Sequence, residues 1–525
     1  MYRMAPTKSI ISILSSALFL LSTHGLSANA VSEEGFEGCL AREGVNNFTS
    51  SHSNGFDSLL KFSIQNLRFA GSNVQKPSFL ILPRTKREVQ AAVKCCRREG
   101  YEIRARSGGH SYEGISSTAE APFVIIDLMH LNAVIIDVPS ATAWIEGGAT
   151  LGEIYYTIAQ ATGDYGFSAG SCPTVGSGGH ISGGGFGFLS RKYGLAADNV
   201  VDAEVVDAMG MLLNRAAMGE DLFWALRGGG GGSWGIVVAW KIKLLKVPPA
   251  VTAFGVDRSG VANMTDLLYK WQTVAPNLER DFYLSVYLAA SDETTVAATF
   301  SGLYLGPATK MLKSINSRFP ELGIKPHDCK EMRWIEAVLF FSGRGPNTTS
   351  LLDRYDSNKN YFYGKSDYVR NPIPKSAIKG AFKLLQQQPN GYLIMDPYGG
   401  KMKEIPSDST PFPHRVGNLF DIQYIVEWYD DNGNDEIYIG WLRKLYQFME
   451  PYVSKNPRAA YVNYMDLDLG SMANISDRSS LVERAAKWGK KYFLHNFERL
   501  VRIKTRVDPH NVFRNVQSIP PVVHI

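Results

Sequence analysis

Patterns that mark several large protein classes are missing from this chain of 525 residues. It has no dense stripe of Lys and Arg, although its net charge is +5, so we expect no nucleic-acid partner. After residue 21 no apolar run is long enough to span a bilayer, which argues against stable membrane insertion. There is no GxxxxGK(S/T) P-loop. There is also no GxGxxG between a strand and a helix with an acid about 20 residues later, so neither common nucleotide-binding fold is expected.

Cysteine is scarce, with five residues in the whole chain. An odd number leaves at least one thiol unpaired if the protein folds in an oxidising compartment. Cys39 could pair with Cys95 or with Cys96 and so clip the N-terminal segment to the first domain; the sequence leaves both pairings open. Cys172 lies inside a glycine-rich loop and is the cysteine best placed for chemistry. No metal site is predicted.

The N-terminus carries a targeting pattern. Arg3 and Lys8 precede an apolar run at 10–21, and small residues at 27–30 fit a cleavage site. We therefore predict a signal peptide over residues 1–30 and a glycoprotein of the secretory pathway. Four Asn-x-Ser/Thr sequons agree with this expectation, at Asn47, Asn263, Asn347 and Asn474.

Glycine is plentiful, with 49 residues, many of them clustered in loops at 107–114, 171–187 and 227–232. Glycine loses the most backbone entropy on ordering, so such clusters mark places where the backbone lies close to another group. Successive free N–H groups in these loops suit an anionic group such as a phosphate. Val175 and Phe186 punctuate the second loop, which favours a packed loop over a flexible linker.

Two patterns divide the chain. Short strands and helices alternate over residues 76–250, with strands expected at 79–82, 103–106, 123–128, 133–138 and 234–242, and capping boxes at Thr85 with Glu88 and at Thr150 with Glu153. Over 251–456 the alternation of apolar and polar residues predicts antiparallel strands with one buried face. The clearest are at 282–288, 295–300 and 420–428, with helices at 309–318, 375–387 and 435–453, and a further helix near 480–500.

Seven motifs together resemble the plant berberine bridge enzyme-like, or reticuline oxidase-like, flavoproteins. They lie at residues 106–112, 172–187, 192–199, 219–224, 411–415, 463–470 and 508–521. This family consists of FAD-linked oxidoreductases of the vanillyl-alcohol-oxidase type. The resemblance implies an α+β fold in which an N-terminal segment, 31–75, precedes a two-part FAD-binding domain. That domain would comprise 76–250 and 457–525, and a substrate domain over 251–456 would carry an antiparallel sheet covered by helices.

The resemblance also implies FAD attached at two points, with His110 on the flavin 8α carbon and Cys172 on C6. An imidazole and a thiolate are nucleophiles able to add to an electron-poor ring. His180 would lie at the flavin pyrimidine edge, and Val175 would control oxygen access, where valine is typical of an oxidase rather than a dehydrogenase. The other cofactor-binding residues expected are Arg106, Ser107, Gly108, Gly109, Ser111, Gly176, Gly179, Gly183 and Asn463.

Catalytic residues are expected on the far side of the flavin. Asp421 matches the family's glutamate base but is one methylene shorter, and by alternation Gln423 shares its face of the strand. Tyr464 matches a tyrosine base, although an unperturbed phenol titrates near pH 10 and needs help to lose its proton. The remaining predicted site residues are Tyr112, near flavin and substrate, and Tyr287 and Asp396 in the substrate pocket.

The sequence thus predicts an FAD oxidase that passes hydride from an alkaloid or phenolic to flavin N5 and reduces O2 to hydrogen peroxide, with or without oxidative cyclisation. Alternatives are a carbohydrate, oligosaccharide or monolignol oxidase and, from another class, a cyclase that keeps FAD as a scaffold. The expected partners are a small-molecule substrate and O2, and the expected state is a monomer in the cell wall, apoplast or vacuole.

Overall fold

A computed structural model describes residues 32–429, 433, 435–473 and 480–522, without the side chains of 261 and 262. The predicted signal peptide and the sequon at Asn474 lie outside the described residues. The side chains of Asn263 and Asn347 are exposed, whereas Asn47 is half-buried and its amide donates to the Leu82 carbonyl at 2.7 Å.

The chain up to Lys246 builds three small sheets. Their strands are β1 (Phe48–Ser50), β2 (Phe79–Ile81), β3 (Glu102–Arg106), β4 (Phe123–Asp127), β5 (Val134–Asp137), β6 (Thr142–Glu146), β7 (Tyr165–Gly166), β8 (Val200–Val206), β9 (Leu212–Leu213), β10 (Ile236–Lys243) and β11 (Leu245–Lys246). The first sheet has the order β1-β2-β4-β3, with β2 and β3 parallel to β4. The second is antiparallel, β5-β6-β10-β8-β9, and β7 pairs with β11. All five strands predicted here occur, as β2, β3, β4, β5 and β10, and the other six strands were not predicted.

Helices connect these strands. They are α1 (Glu33–Arg42), α2 (Phe56–Phe62), α3 (Lys86–Glu99), α4 (Leu151–Ala161), α5 (Ser177–Ser182), α6 (Ser190–Tyr193) and α7 (Arg215–Leu226). Both predicted capping boxes form, at the starts of α3 and α4, where each satisfies backbone N–H groups left open by the helix. The disulfide joins Cys39 on α1 to Cys95 on α3, which decides between the two pairings open in the sequence.

Seven antiparallel strands form the large sheet. They are β12 (Val251–Ser259), β13 (Phe282–Ala290), β14 (Val296–Tyr304), β15 (Cys329–Met332), β16 (Tyr361–Val369), β17 (Gly391–Pro397) and β18 (Phe420–Trp428). Their order is β15-β12-β14-β13-β17-β18-β16. The accompanying helices are α8 (Val261–Val274), α9 (Ala308–Arg318), α10 (Trp334–Ser342), α11 (Lys375–Leu385) and α12 (Asp435–Met449).

The two faces of the large sheet differ. Side chains such as Leu284, Val286 and Ile422 pack with α8, α9, α11 and α12 into one apolar core. The alternate residues point to the opposite face, which therefore faces the glycine loops. This layering confirms the predicted α+β fold with an antiparallel sheet covered by helices.

After α12 the chain returns to the first part of the molecule. Two helices follow, α13 (Leu481–Phe493) and α14 (Phe497–Val507), where one helix was predicted near 480–500. α13 confirms the predicted helix, which ends at Phe493 because Leu494 has a positive φ of 47°. Trp488 and Phe497 share a core with Trp224 and Trp234 from the glycine-loop region.

Candidate functional site

A cavity of about 830 Å³ lies between the glycine loops and the open face of the large sheet. The loops at 107–112, 170–182 and 230–232 form one wall, β13, β17 and β18 form the other, and residues 461–465 close one side. It brings together nearly all the predicted site residues, namely Arg106, Ser107, Gly108, Gly109, His110, Ser111, Tyr112, Cys172, Val175, Gly176, Gly179, His180, Tyr287, Asp396, Gln423, Asn463 and Tyr464. Asp421 and Gly183 do not line it.

The first glycine loop is built to expose backbone N–H groups. Gly109 has φ +71°, and a Cβ there would lie 1.5 Å from the Ser63 carbonyl oxygen, so only glycine fits. A Cβ on Gly108 would lie 2.4 Å from the Gly176 nitrogen, because the two loops cross in contact. Among the described residues, the N–H groups of 108–111 find no hydrogen-bond acceptor. A row of free N–H groups on a cavity wall is a cradle for phosphate, and it fits the diphosphate of FAD.

Arg106 anchors the start of this loop. Its Nε donates to Asp127 at 2.6 Å and its Nη1 donates to the Leu60 carbonyl at 3.1 Å, and the ion pair is fully buried. Its Nη2 has no partner among the described residues. Because a buried donor without an acceptor is costly, this atom is available to a group bound in the cavity.

His110 and Cys172 contact one and the same hydroxyl. Thr174 Oγ1 lies 2.9 Å from His110 Nε2 and 3.5 Å from Cys172 Sγ. Burial lowers the pKa of His110 to about 4, so its imidazole is neutral and keeps a lone pair at neutral pH. The surrounding protein desolvates the Cys172 thiol and raises its pKa, although Thr174 opposes the shift. Two nucleophiles this close together suit attachment to two positions of the same flavin ring system.

His180 is held by backbone and by Asn463. Its Nε2 accepts from the Gly170 N–H at 3.2 Å, and burial lowers its pKa to about 4, so its Nδ1 carries the proton and can donate. Asn463 Nδ2 donates to the His180 carbonyl at 3.1 Å. A Cβ on Gly183 would lie 1.9 Å from Asn463 Oδ1. Gly183 thus makes room for Asn463 rather than lining the cavity.

Two tyrosines stack at the inner end of the cavity. The rings of Tyr112 and Tyr464 lie 5.3 Å apart at 21°, and Gln423 donates its amide to the Tyr112 hydroxyl. Burial is the main cause that raises the pKa of both phenols well above the usual value. Both are protonated at neutral pH in this arrangement, so Tyr464 can act as a base only if a bound group stabilises its phenolate.

Of the two neighbouring aspartates of the large sheet, Asp396 and not Asp421 lies on the cavity wall. The two residues are cross-strand partners on β17 and β18, and Tyr283 donates to Asp396 Oδ1 at 2.5 Å. Burial raises the pKa of Asp396 to about 6, and burial followed by the charge of Asp396 raises that of Asp421 well above its ordinary value. Asp421 Oδ1 finds no partner among the described residues. Asp421 therefore lies behind the wall as a neutral acid.

Other lining residues were not predicted. Tyr392, Glu427 and Ser285 face the cavity from the same sheet surface. Each lies at an even spacing from a predicted site residue on its own strand, Glu427 from Gln423, Tyr392 from Asp396 and Ser285 from Tyr287, so alternation along the strand could have found them.

A model of the FAD binding domain family matches residues 77–215, and a model described as "berberine and berberine like" matches 460–520. Berberine bridge enzyme-like D-1 of Nicotiana tabacum is 51% identical over 98% of this chain and 95% of that protein. The chain belongs to the berberine bridge enzyme-like family. Reticuline oxidase of Papaver somniferum is 49% identical, with 92% of each chain covered. The crystal structure of berberine bridge enzyme from Eschscholzia californica matches with a TM-score of 0.91 and 47% identity, covering 93% of this chain and 100% of that one.

Family membership confirms the resemblance found in the sequence. This berberine bridge enzyme-like protein is an FAD-linked oxidoreductase of the vanillyl-alcohol-oxidase type, and the part matched by the FAD binding domain family contains the glycine loops at 107–114 and 171–187. Among its described residues no helix combines the length and apolar character needed to cross a membrane.

Proposed function

We propose that the protein is an oxidase of a small aromatic specialised metabolite, an alkaloid or a phenolic, with FAD attached through both His110 and Cys172. The observation that carries the proposal is the placement of these two nucleophiles around Thr174, directly across the cavity from the tyrosine-lined sheet. Relatives named reticuline oxidase and tetrahydroberberine oxidase support the substrate class.

Bound FAD supplies the hydride acceptor and O2 the terminal oxidant. The chain orients the substrate and handles its proton. Asp396, with a pKa near 6, is ionised at pH 7 and takes a proton from a phenol or amine at its Oδ2, while Tyr283 holds Oδ1. Asp421 keeps its proton, so the pair carries a single negative charge. Tyr112 and Tyr464 offer aromatic surface to the substrate ring.

Two residues on the loop wall complete the proposal. His180, whose Nδ1 carries the proton, would hydrogen-bond to bound FAD at its pyrimidine edge and stabilise negative charge there. Val175 lines the cavity close to Cys172 and leaves O2 a path, as expected of an oxidase rather than a dehydrogenase.

The test is oxidation of a substrate panel by the purified holoenzyme. Benzylisoquinolines, simple phenolics, monolignols and oligosaccharides are supplied separately, and O2 uptake and peroxide release are followed together. The proposal predicts that the protein consumes O2 and releases hydrogen peroxide in equal amounts, and that it does so with an alkaloid or a phenolic but not with the oligosaccharides. Product without peroxide indicates the scaffold-type cyclase, and turnover of sugars alone contradicts the proposed substrate class.

A carbohydrate oxidase is the second candidate, and one observation favours it. The cavity mouth is open and carries Tyr287, with 41% of its surface exposed, against Tyr392. Exposed aromatic rings suit the apolar faces of sugar rings as well as those of aromatic substrates.

We also propose that the protein passes through the secretory pathway and acts as a monomer. The Cys39–Cys95 disulfide and the exposed Asn263 and Asn347 support passage through the secretory pathway. Glycosidase treatment of the protein expressed in plant cells should lower its mass. An unchanged mass and a cytosolic location would contradict it.

A further inference from the structure

Glu427 lies at the outer end of the cavity wall. Gln423, Ile425 and Glu427 face the cavity at alternate positions of β18. Four residues along a strand span roughly 13 Å, so Glu427 leaves the strand well away from Gln423. The ring of Phe362, the cross-strand partner of Glu427, lies 5.2 Å from the ring of Tyr112, so the stacked tyrosines and Glu427 border the same part of the cavity.

The Glu427 carboxylate is oriented by neutral groups. The Tyr392 hydroxyl donates to Oε1 at 2.5 Å and the Asn360 amide donates to Oε2 at 2.8 Å. No described Lys, Arg or His forms an ion pair with Glu427. Its charge is therefore fixed in place and facing the cavity, but not neutralised by the protein.

Aromatic rings flank this carboxylate. The rings of Tyr287 and Tyr392 lie 4.8 Å apart, and Phe362 lines the cavity on the neighbouring strand. Outside the cavity the Tyr429 hydroxyl approaches Oε2 at 3.5 Å. A carboxylate beside aromatic faces attracts organic cations, because the faces carry negative electrostatic potential.

Positively and negatively charged side chains lie on different sides of the cavity. Its cations are Arg104, Arg106 and Arg514 on the glycine-loop side, with Lys359 held by the carbonyls of Lys61 and Phe62. Among the described residues, Asp396 and Glu427 are the charged groups that the sheet wall contributes, and one further lining carboxylate, Asp356, lies on the segment that carries Lys359. The cationic side suits a phosphate-bearing cofactor, and the anionic side suits a positively charged ligand.

We propose that Glu427, with Tyr287 and Tyr392, forms a subsite for a cationic nitrogen, a protonated or quaternary amine, of the substrate. The inference rests on one part of the proposed function, namely that the substrate binds in this cavity. Its consequence is selection among aromatic molecules of similar size: those with a positively charged nitrogen that reaches Glu427 are preferred over neutral ones.

The test measures binding rather than turnover. Calorimetry on the holoenzyme, kept reduced without O2 so that no substrate is oxidised, compares its affinity for (S)-reticuline, for the N-methylated quaternary salt and for neutral N-acetylnorreticuline. We expect both cations to bind about tenfold more tightly than the amide. This factor corresponds to the combined contributions of a partly exposed ion pair and a cation–π contact to the binding free energy. Glu427→Gln should remove this preference while the affinity for the amide stays within about twofold.

Control variants separate the subsite from general charge effects. Glu436→Gln makes the same charge change at an exposed position of α12 and should keep the wild-type preference. Glu427→Asp keeps the charge and should retain part of the preference. Flavin content and the unfolding midpoint check that each variant is folded.

Three results would overturn the proposal: equal affinities of wild type for cations and amide, no measurable binding of either cation, or a preference that survives Glu427→Gln. Should Glu427→Gln fail to fold, the wild-type comparison alone decides. A cation preference without peroxide release would refute the oxidase proposal and leave the subsite standing, so the two failures are distinguishable.

Discussion

Asp396 and Asp421 face each other across β17 and β18, and this pairing sets the acid–base chemistry of the cavity. A raised carboxyl pKa means that the folded protein holds the proton more tightly than the unfolded chain does. Stability is then highest below the unfolded pKa, near 4, and is lost as the pH rises to about 6, the folded pKa of Asp396.

Asp396→Asn should remove this loss. The variant and wild type should show a constant stability difference below about pH 4, and the variant should gain about 1–3 kcal/mol relative to wild type between about pH 4 and 6. Urea unfolding across this pH range measures it. Asp266→Asn, an exposed carboxyl paired with Lys375, serves as control and should show no such gain. Parallel stability curves for wild type and Asp396→Asn would contradict the assignment.

Tyr464 stacks on Tyr112, and the Tyr464 hydroxyl is a candidate for proton transfer during oxidation. Tyr464→Phe keeps the ring stack and should lower kcat by about 10²–10⁴ if the hydroxyl moves or holds a proton during oxidation. Tyr112→Phe should cost less, because Gln423 loses only a hydrogen-bond acceptor. Steady-state O2 uptake on a substrate found in the panel measures both. Unchanged kcat in Tyr464→Phe, with flavin retained, would show that this hydroxyl only seals the cavity.

At the scale of elements, the strands show what a single sequence can reveal. β18 was predicted with its exact bounds, 420–428, because its apolar and polar residues alternate and so separate onto the two faces of the strand. β16 was missed because Lys365 and Asp367 interrupt its pattern, although both are buried. Their partners, Asp466 and Arg458, come from the returning C-terminal chain. Buried ion pairs with distant residues therefore hide a strand from sequence analysis.

The disulfide between α1 and α3 closes a loop of 56 residues. Chain entropy alone predicts about 4 kcal/mol of stabilisation for a loop of this length. Cys95→Ala should lower the free energy of unfolding by about 2–4 kcal/mol in non-reducing urea titrations. Cys96→Ala is the matched control, since Cys96 is the next residue of α3, buried and unpaired, and should cost about 1 kcal/mol. Equal losses in the two variants would contradict a stabilising role for this disulfide.

At the scale of the whole molecule, Arg191 fastens the glycine-loop region to the large sheet. This fully buried side chain on α6 donates to the carbonyls of Pro276, Leu278, Glu279, Phe282 and Tyr398. A planar guanidinium can serve all five acceptors, whereas a lysine has three donors on one atom.

Arg191→Lys should therefore destabilise the protein by about 2–4 kcal/mol, because buried carbonyls lose their donors. Thermal unfolding monitored by circular dichroism measures the change. Arg280→Lys makes the same substitution at an exposed ion pair with Glu404 and should shift stability by less than about 0.5 kcal/mol. An Arg191→Lys midpoint equal to that of wild type would show that the two regions are held together by apolar contacts alone.

The cofactor side of the site was more predictable than the substrate side. The loop residues around His110 and Cys172 are consecutive in sequence and carry motifs, so their joint role could be inferred. The substrate wall is assembled by strand register, which places Asp396 opposite Asp421 and Tyr392 beside Glu427. No local pattern encodes those neighbours, so the sequence pointed to Asp421 where the cavity presents Asp396.

The two-point attachment of FAD is the central claim, and peptide mapping tests it most directly. The purified protein is denatured, digested and analysed by mass spectrometry for flavin-bearing peptides. In the wild type we predict one species in which a single FAD links the peptide containing His110 to the peptide containing Cys172. In Cys172→Ala we predict FAD attached only to the peptide containing His110. Flavin released on denaturation, or found on one peptide only in the wild type, would contradict the claim.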